Sequence, residues 1–74
     1  MPKQTQNEIV GAYLGKLRER AGITTRELAE ELGMSQTTLW KLENGRMRWT
    51  VEYLSQVGGY FALSASRFLK RAGL

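Results

Sequence analysis

Apolar positions along this chain recur at helical spacing, and glycines interrupt them. Val10, Leu14, Leu17 and Ala21 step by four, three and four, which lines them along one face of a helix. Gly22 follows, where a left-handed C-cap is wanted. A second segment opens with Thr24 and, three residues on, Glu27, a capping box in which each side chain takes the other residue's free amide. Ile23 just outside and Leu28 just inside are placed to pack across that cap. Leu28, Ala29 and Leu32 form the apolar face, and Gly33 ends it. The third segment repeats the device with Met34 outside, Ser35 as N-cap and Leu39 inside; Leu42 extends the face and Asn44-Gly45 stops it. A fourth helix is expected from Thr50, with Trp49 and Leu54 as the packing pair, Val51, Leu54 and Val57 facing inward, and Gly58-Gly59 breaking it. In the tail, Phe61, Ala65, Phe68, Leu69 and Ala72 fit a helix, while Phe61, Leu63 and Ala65 also alternate as a strand would. A helix is favoured, because Lys70 and Arg71 precede Gly73 and Leu63, Ser64 and Phe68 repeat the cap pattern. The pattern predicts an all-α domain of four to five helices over residues 1–74, with residues 1–8 flexible and 60–74 as a tail.

Only Gly33 and the Met34-Ser35 cap separate the second helix from the third, so the two meet in a tight bend. Two short helices joined by a glycine able to take a positive φ, the second with polar residues in its first turn, describe a helix-turn-helix over residues 24–44. An ordinary helical hairpin would need a longer apolar stripe on both helices than these two-turn segments carry.

Composition narrows the function. Eleven Lys and Arg against seven acidic residues give a net charge of +4, which suits a polyanionic partner without demanding one. The chain has no His, Cys or Asp, so the usual general bases, thiol nucleophiles and metal ligands are nearly all missing. An enzyme, a metal site and a cofactor are therefore not expected. No apolar run approaches the roughly 18 residues of a membrane span, and Met1 to Glu8 lacks the apolar core of a signal peptide, so a soluble cytoplasmic protein is expected. A domain of this size has a small core, and with neither disulfide nor zinc available, oligomerisation is the supplement left.

From Leu17 to Arg46 the stretch LRERAGITTRELAEELGMSQTTLWKLENGR resembles the lambda-repressor-like family, the Xre/Cro type of bacterial and phage regulators. Counted from Thr25, the family's small residue at the fifth position, glycine at the ninth and apolar residues at the fifteenth and eighteenth are matched by Ala29, Gly33, Leu39 and Leu42. The resemblance implies that the third helix lies in the major groove of double-stranded DNA. Its base-reading residues would be Gln36, Thr37 and Lys41, with Thr38 assisting. Gln suits the N6 and N7 of adenine, Lys the O6 and N7 of guanine, and a Thr methyl the thymine methyl. Arg46, Arg48 and Asn44, on the following loop, would grip phosphates, as would the helix terminus at Thr25, where the family commonly has a longer Gln. Glu43 would pair with Arg18 rather than face DNA. Trp49, at a cap-packing position, is expected in the core, while Trp40, beside the reading face, either covers the helix from outside or touches the DNA backbone.

The same resemblance implies a homodimeric repressor on a palindromic operator. The tail apolars Tyr60, Phe61, Leu63, Phe68, Leu69 and Leu74 exceed what one small core is expected to hide, so they are assigned to the dimer contact. An antitoxin that also binds a toxin protein is the alternative, and an interchain strand at Tyr60 to Ala65 would favour it. An RNA-binding module lacks its aromatic sheet platform or GXXG clamp, and an adaptor binding only protein remains open. No small-molecule ligand is expected.

Overall fold

A computed structural model describes residues 4–74. Five helices follow in order: α1 (Gln6–Ala21), α2 (Thr25–Leu32), α3 (Gln36–Glu43), α4 (Val51–Tyr60) and α5 (Ala65–Ala72). All five begin alike. Thr5, Thr24, Ser35, Thr50 and Ser64 stand at the N-caps in extended backbone, and each side-chain oxygen accepts from the amide three residues on. Each such cap contributes about 1 kcal/mol to a helix too short to hold itself together. Ahead of four caps sits an apolar residue in the core cluster: Ile23, Met34, Trp49 and Leu63. Their partners four places inside the helix, Leu28, Leu39, Leu54 and Phe68, are all buried. The cap thus fixes both where a helix starts and how the preceding loop lies on the core.

The core consists of Val10 and Leu14 from α1, Leu28 and Ala29 from α2, Leu39 and Leu42 from α3, Trp49, Leu54 and Val57, and Phe68 from α5. Phe68 sits at its centre, with Tyr13 edge-on at 5.2 Å between ring centroids and Trp49 at 5.7 Å. The Trp49 indole N–H donates to the Leu42 carbonyl at 3.0 Å, so its polar edge also closes the C-terminal end of α3.

Three expectations change, and the alternative left open in the tail closes on the favoured helix. Thr5 and Glu8 form a further capping box, so α1 starts at Gln6 and residues 5–8 are ordered helix start rather than flexible; residues 1–3 of that stretch lie outside the described residues. Gly58 and Gly59 do not break the fourth helix: α4 runs through both to Tyr60. Gly58 is there for room, since a Cβ at that position would crowd the Leu63 carbonyl, which folds back over the helix end. Val51, at the first position of α4, is 72% exposed instead of inward, because the core-facing side of α4 is made by Tyr53, Leu54, Val57 and Gly58. Residues 60–66 are the end of α4, a turn and the start of α5, which removes the strand alternative.

Two glycines set the geometry for different reasons. Gly33 has φ +68° with open space around it, so only backbone conformation demands glycine there. Gly11 is the reverse: it lies mid-helix in α1, and a Cβ would overlap the carbonyl oxygens of Leu42 and Glu43, on which α1 rests. Gly33→Val should therefore lower stability by roughly 1–3 kcal/mol through strain alone, a drop of about 4–8 °C per kcal/mol in a domain this small. Gly11→Ala, normally a helix-favouring change, should cost more than Gly33→Val. Thermal melts followed by circular dichroism test both, and a Gly11→Ala protein melting like the wild type would contradict this packing.

Candidate nucleic-acid interface

The site is built on α3, whose periodicity sorts its eight residues into two sides. Leu39 and Leu42 are buried, while Gln36, Thr37, Trp40 and Lys41 are exposed. At about 100° per residue these four fall within an arc of roughly 140°, opposite the core. Thr38 lies outside that arc, half-buried, and its hydroxyl accepts from the Ser35 hydroxyl at 2.8 Å. Its hydroxyl is part of the cap, beside the outward four and not among them.

Behind this face one carboxylate joins three helices. Glu43 Oε1 accepts from Arg18 Nε at 3.1 Å, and Glu43 Oε2 from the Thr25 hydroxyl at 3.3 Å. Arg18 Nη1 meanwhile donates to the Ile23 carbonyl at 3.0 Å, in the loop before α2. The side chains of Arg18 and Glu43 are only 19% and 10% exposed, which keeps solvent from screening the pair. α1, α2 and α3 are held in one frame, and Glu43, the acidic residue of α3, is turned inward. The Thr25 hydroxyl is engaged by Glu43, so a phosphate contact at this position falls to the main chain. The Glu27 amide is taken by the Thr24 cap, which leaves the amides of Thr25 and Arg26 at the start of α2.

Beyond α3, Asn44 caps the helix by donating its side-chain amide to the Trp40 carbonyl at 2.8 Å, with the second amide hydrogen still available. The Arg46 amide bonds the Lys41 carbonyl at 2.8 Å, so the loop turns tightly off the helix end. Arg46, Arg48 and Lys41 are exposed, and among the described residues none makes an ion pair. Arg26, by contrast, reaches Glu30 on an exposed helix face.

The tail residues do not form one patch. Phe68 is fully buried and central to the core, which corrects its assignment to a dimer contact: a helix whose apolar face closes the domain cannot offer the same face to a partner. Phe61, Leu63 and Leu69 are half-buried against the core, leaving Tyr60 and Leu74 as the exposed large apolars of this segment. Sequence reasoning underrates the core's capacity because it does not count Gly11 and Gly58, where missing side chains let helices approach.

Known proteins share this geometry. Residues 9–59 match the helix-turn-helix domain family, from within α1 to near the end of α4. The chain belongs to that family. Two HTH-type transcriptional regulators of Mycobacterium tuberculosis, from strains CDC 1551 / Oshkosh and H37Rv, are each 33% identical over 64 residues, covering 86% of this chain. The chain spans 46% of their length. Among solved structures, the clp gene regulator ClgR from Corynebacterium glutamicum superposes with a TM-score of 0.86 at 35% identity, covering 96% of this chain and 91% of that one. A second ClgR structure gives 0.84 at the same identity, over 76% of its chain. These relatives are regulators, not enzymes. Among the described residues no helix is long and apolar enough to cross a membrane.

The carboxylate tie makes a stability prediction separate from any ligand. Glu43→Ala should cost about 2–3 kcal/mol, since it strands Arg18 and frees the Thr25 hydroxyl. Urea unfolding at low and at high salt should give the same loss, because the pair is shielded. A loss that disappears at high salt would mean that the pair is an ordinary surface contact.

Proposed function

We propose that this protein is a sequence-specific double-stranded DNA-binding transcription regulator, a homodimeric repressor that reads a palindromic operator with α3. The observation that carries the reading is the outward arc of Gln36, Thr37, Trp40 and Lys41, with unpaired Arg46 and Arg48 directly after it. Gln36 is suited to adenine N6 and N7, Lys41 to guanine O6 and N7, and the Thr37 methyl to an apolar group in the groove. Arg46, Arg48, Asn44 and the first-turn amides of α2 are suited to phosphates, which supply most of the affinity through counterion release. Occupying DNA blocks whatever else would use the same base pairs, so repression is the outcome that needs no further surface.

Dimerisation is supported by the small core and by Tyr60 and Leu74, with the half-buried Phe61, Leu63 and Leu69 at the margin of the contact. An interchain strand at Tyr60 to Ala65 would have favoured the antitoxin reading; that segment is helix and turn, so it adds no support to it. Site selection from random duplex DNA is the direct test; enrichment of one palindromic sequence is the expected result.

Variants then separate reading from gripping. Gln36→Ala or Lys41→Ala should cost about 1–3 kcal/mol on the selected site and relax preference at one position per half-site. Arg46→Ala or Arg48→Ala should weaken binding to every duplex alike and lower the salt slope by about one for each phosphate no longer neutralised. Half-sites should lie roughly 34 Å apart, so inserting about five base pairs between them should abolish dimer binding. Anisotropy titrations across salt concentrations measure all three. The reverse pattern, with Arg46→Ala changing preference and Gln36→Ala weakening all duplexes equally, would contradict the division of roles.

A further inference from the structure

The outward face of α3 carries one large and mostly apolar side chain, Trp40, which the hydrogen-bonded reading assigned to Gln36 and Lys41 does not use. Trp40 is 52% exposed, although the core accommodates Trp49 only seven residues after Leu42. With Gln36 and Thr37 it lines an open concavity of about 240 Å³. These residues stand at i, i+1 and i+4, so the indole and the Gln36 amide are neighbours one turn apart with the Thr37 methyl beside them. No cation lines this concavity: Lys41 lies along the arc but outside it. A phosphate would find no charge there, while an apolar group would meet the indole of Trp40 and the methyl of Thr37, with the Gln36 amide and the Thr37 hydroxyl at its edge.

The major groove offers one apolar group among the four bases, the C5-methyl of thymine. It lies in the same base-pair plane as the adenine N6 that a glutamine amide engages, or at the next step along the groove. We propose that the Gln36–Thr37–Trp40 concavity receives a thymine C5-methyl and that Trp40 is a specificity-determining residue for that base. The proposal rests on the DNA-binding reading of α3 and deepens it, adding discrimination by shape to the discrimination by hydrogen bonds. Trp40 then leaves water only in the complex, which accounts for its exposure in the free protein.

Deoxyuridine provides the test, because uracil keeps every hydrogen-bonding group of thymine and lacks only the methyl. The full chain is titrated with the duplex recovered by selection, resynthesised with deoxyuridine in place of each thymidine in turn. One thymine per half-site should stand out, its replacement weakening binding roughly fourfold, the factor that burial of one methyl-sized group provides. Trp40→Ala should fold with the wild-type melting temperature and bind the two duplexes equally, while Trp40→Phe, which keeps an aromatic wall, should retain discrimination. A wild-type protein that discriminates at no thymine, or a Trp40→Ala protein that still does, overturns the assignment and leaves DNA binding standing. If selection recovers no preferred duplex at all, the DNA-reading function fails and this inference fails with it.

Discussion

The fold depends on how closely α1 crosses the C-terminal end of α3. Gly11 removes the side chain that would hold them apart, so the carbonyls of Leu42 and Glu43 rest on the α1 backbone. Three further contacts gather at the same place. Arg18 reaches Glu43, the Trp49 indole donates to the Leu42 carbonyl, and the Asn7 side chain accepts from the Trp49 amide at 3.1 Å. The end of α3 is therefore fixed from α1 and from the loop before α4 at once. Its beginning is fixed by the Ser35 cap and the Gly33 bend. A two-turn helix held at both ends can present four side chains outward without being stabilised by them, which frees those four to be chosen for recognition.

Electrostatics follows from the same arrangement. Glu43 would oppose a phosphate if it faced outward, yet its carboxylate is turned into the interior frame, where one oxygen accepts from Arg18 and the other from Thr25. Lys41, Arg46 and Arg48 are exposed, and among the described residues none of them is in an ion pair. At the start of α2, bonds from the Thr24 amide and from its hydroxyl hold the Glu27 carboxyl below the ordinary glutamate range. That cap is therefore fully formed above the unfolded pKa and weakens as pH falls through the lowered folded value.

Much of this was legible because it is local. A cap is written in two or three residues, so Thr24, Ser35, Thr50 and Ser64 announce their helices, and the Arg18–Glu43 contact follows from the family's pattern. The misreadings share a physical cause, which is dependence on contacts distant in sequence. Gly58-Gly59 looks like a breaker until Leu63 is seen folding over it. Phe68 looks like surplus apolar surface until Tyr13 and Trp49 are seen enclosing it. Thr5 and Glu8 are an exception, since their box is local but has no apolar neighbour ahead of the cap to mark it: Gln4 stands where Ile23 or Leu63 stand elsewhere. Trp40, 52% exposed, follows from periodicity only as far as its place beside the outward face, because nothing among the described residues packs on it to fix its role.

Under the proposed function, the frame of α1, α2 and α4 presents the outward arc of α3, and the loop behind it, to duplex DNA. Titrating isotopically labelled protein with duplex and following amide and indole resonances by NMR tests it most directly. Large shifts are expected at Gln36, Thr37, Lys41, Arg46 and Arg48 and at the Trp40 indole N–H, with the Trp49 indole and the amides around Gly11 unmoved. Shifts clustered instead on the outer faces of α1 and α5, with the Trp40 indole unchanged, would contradict it.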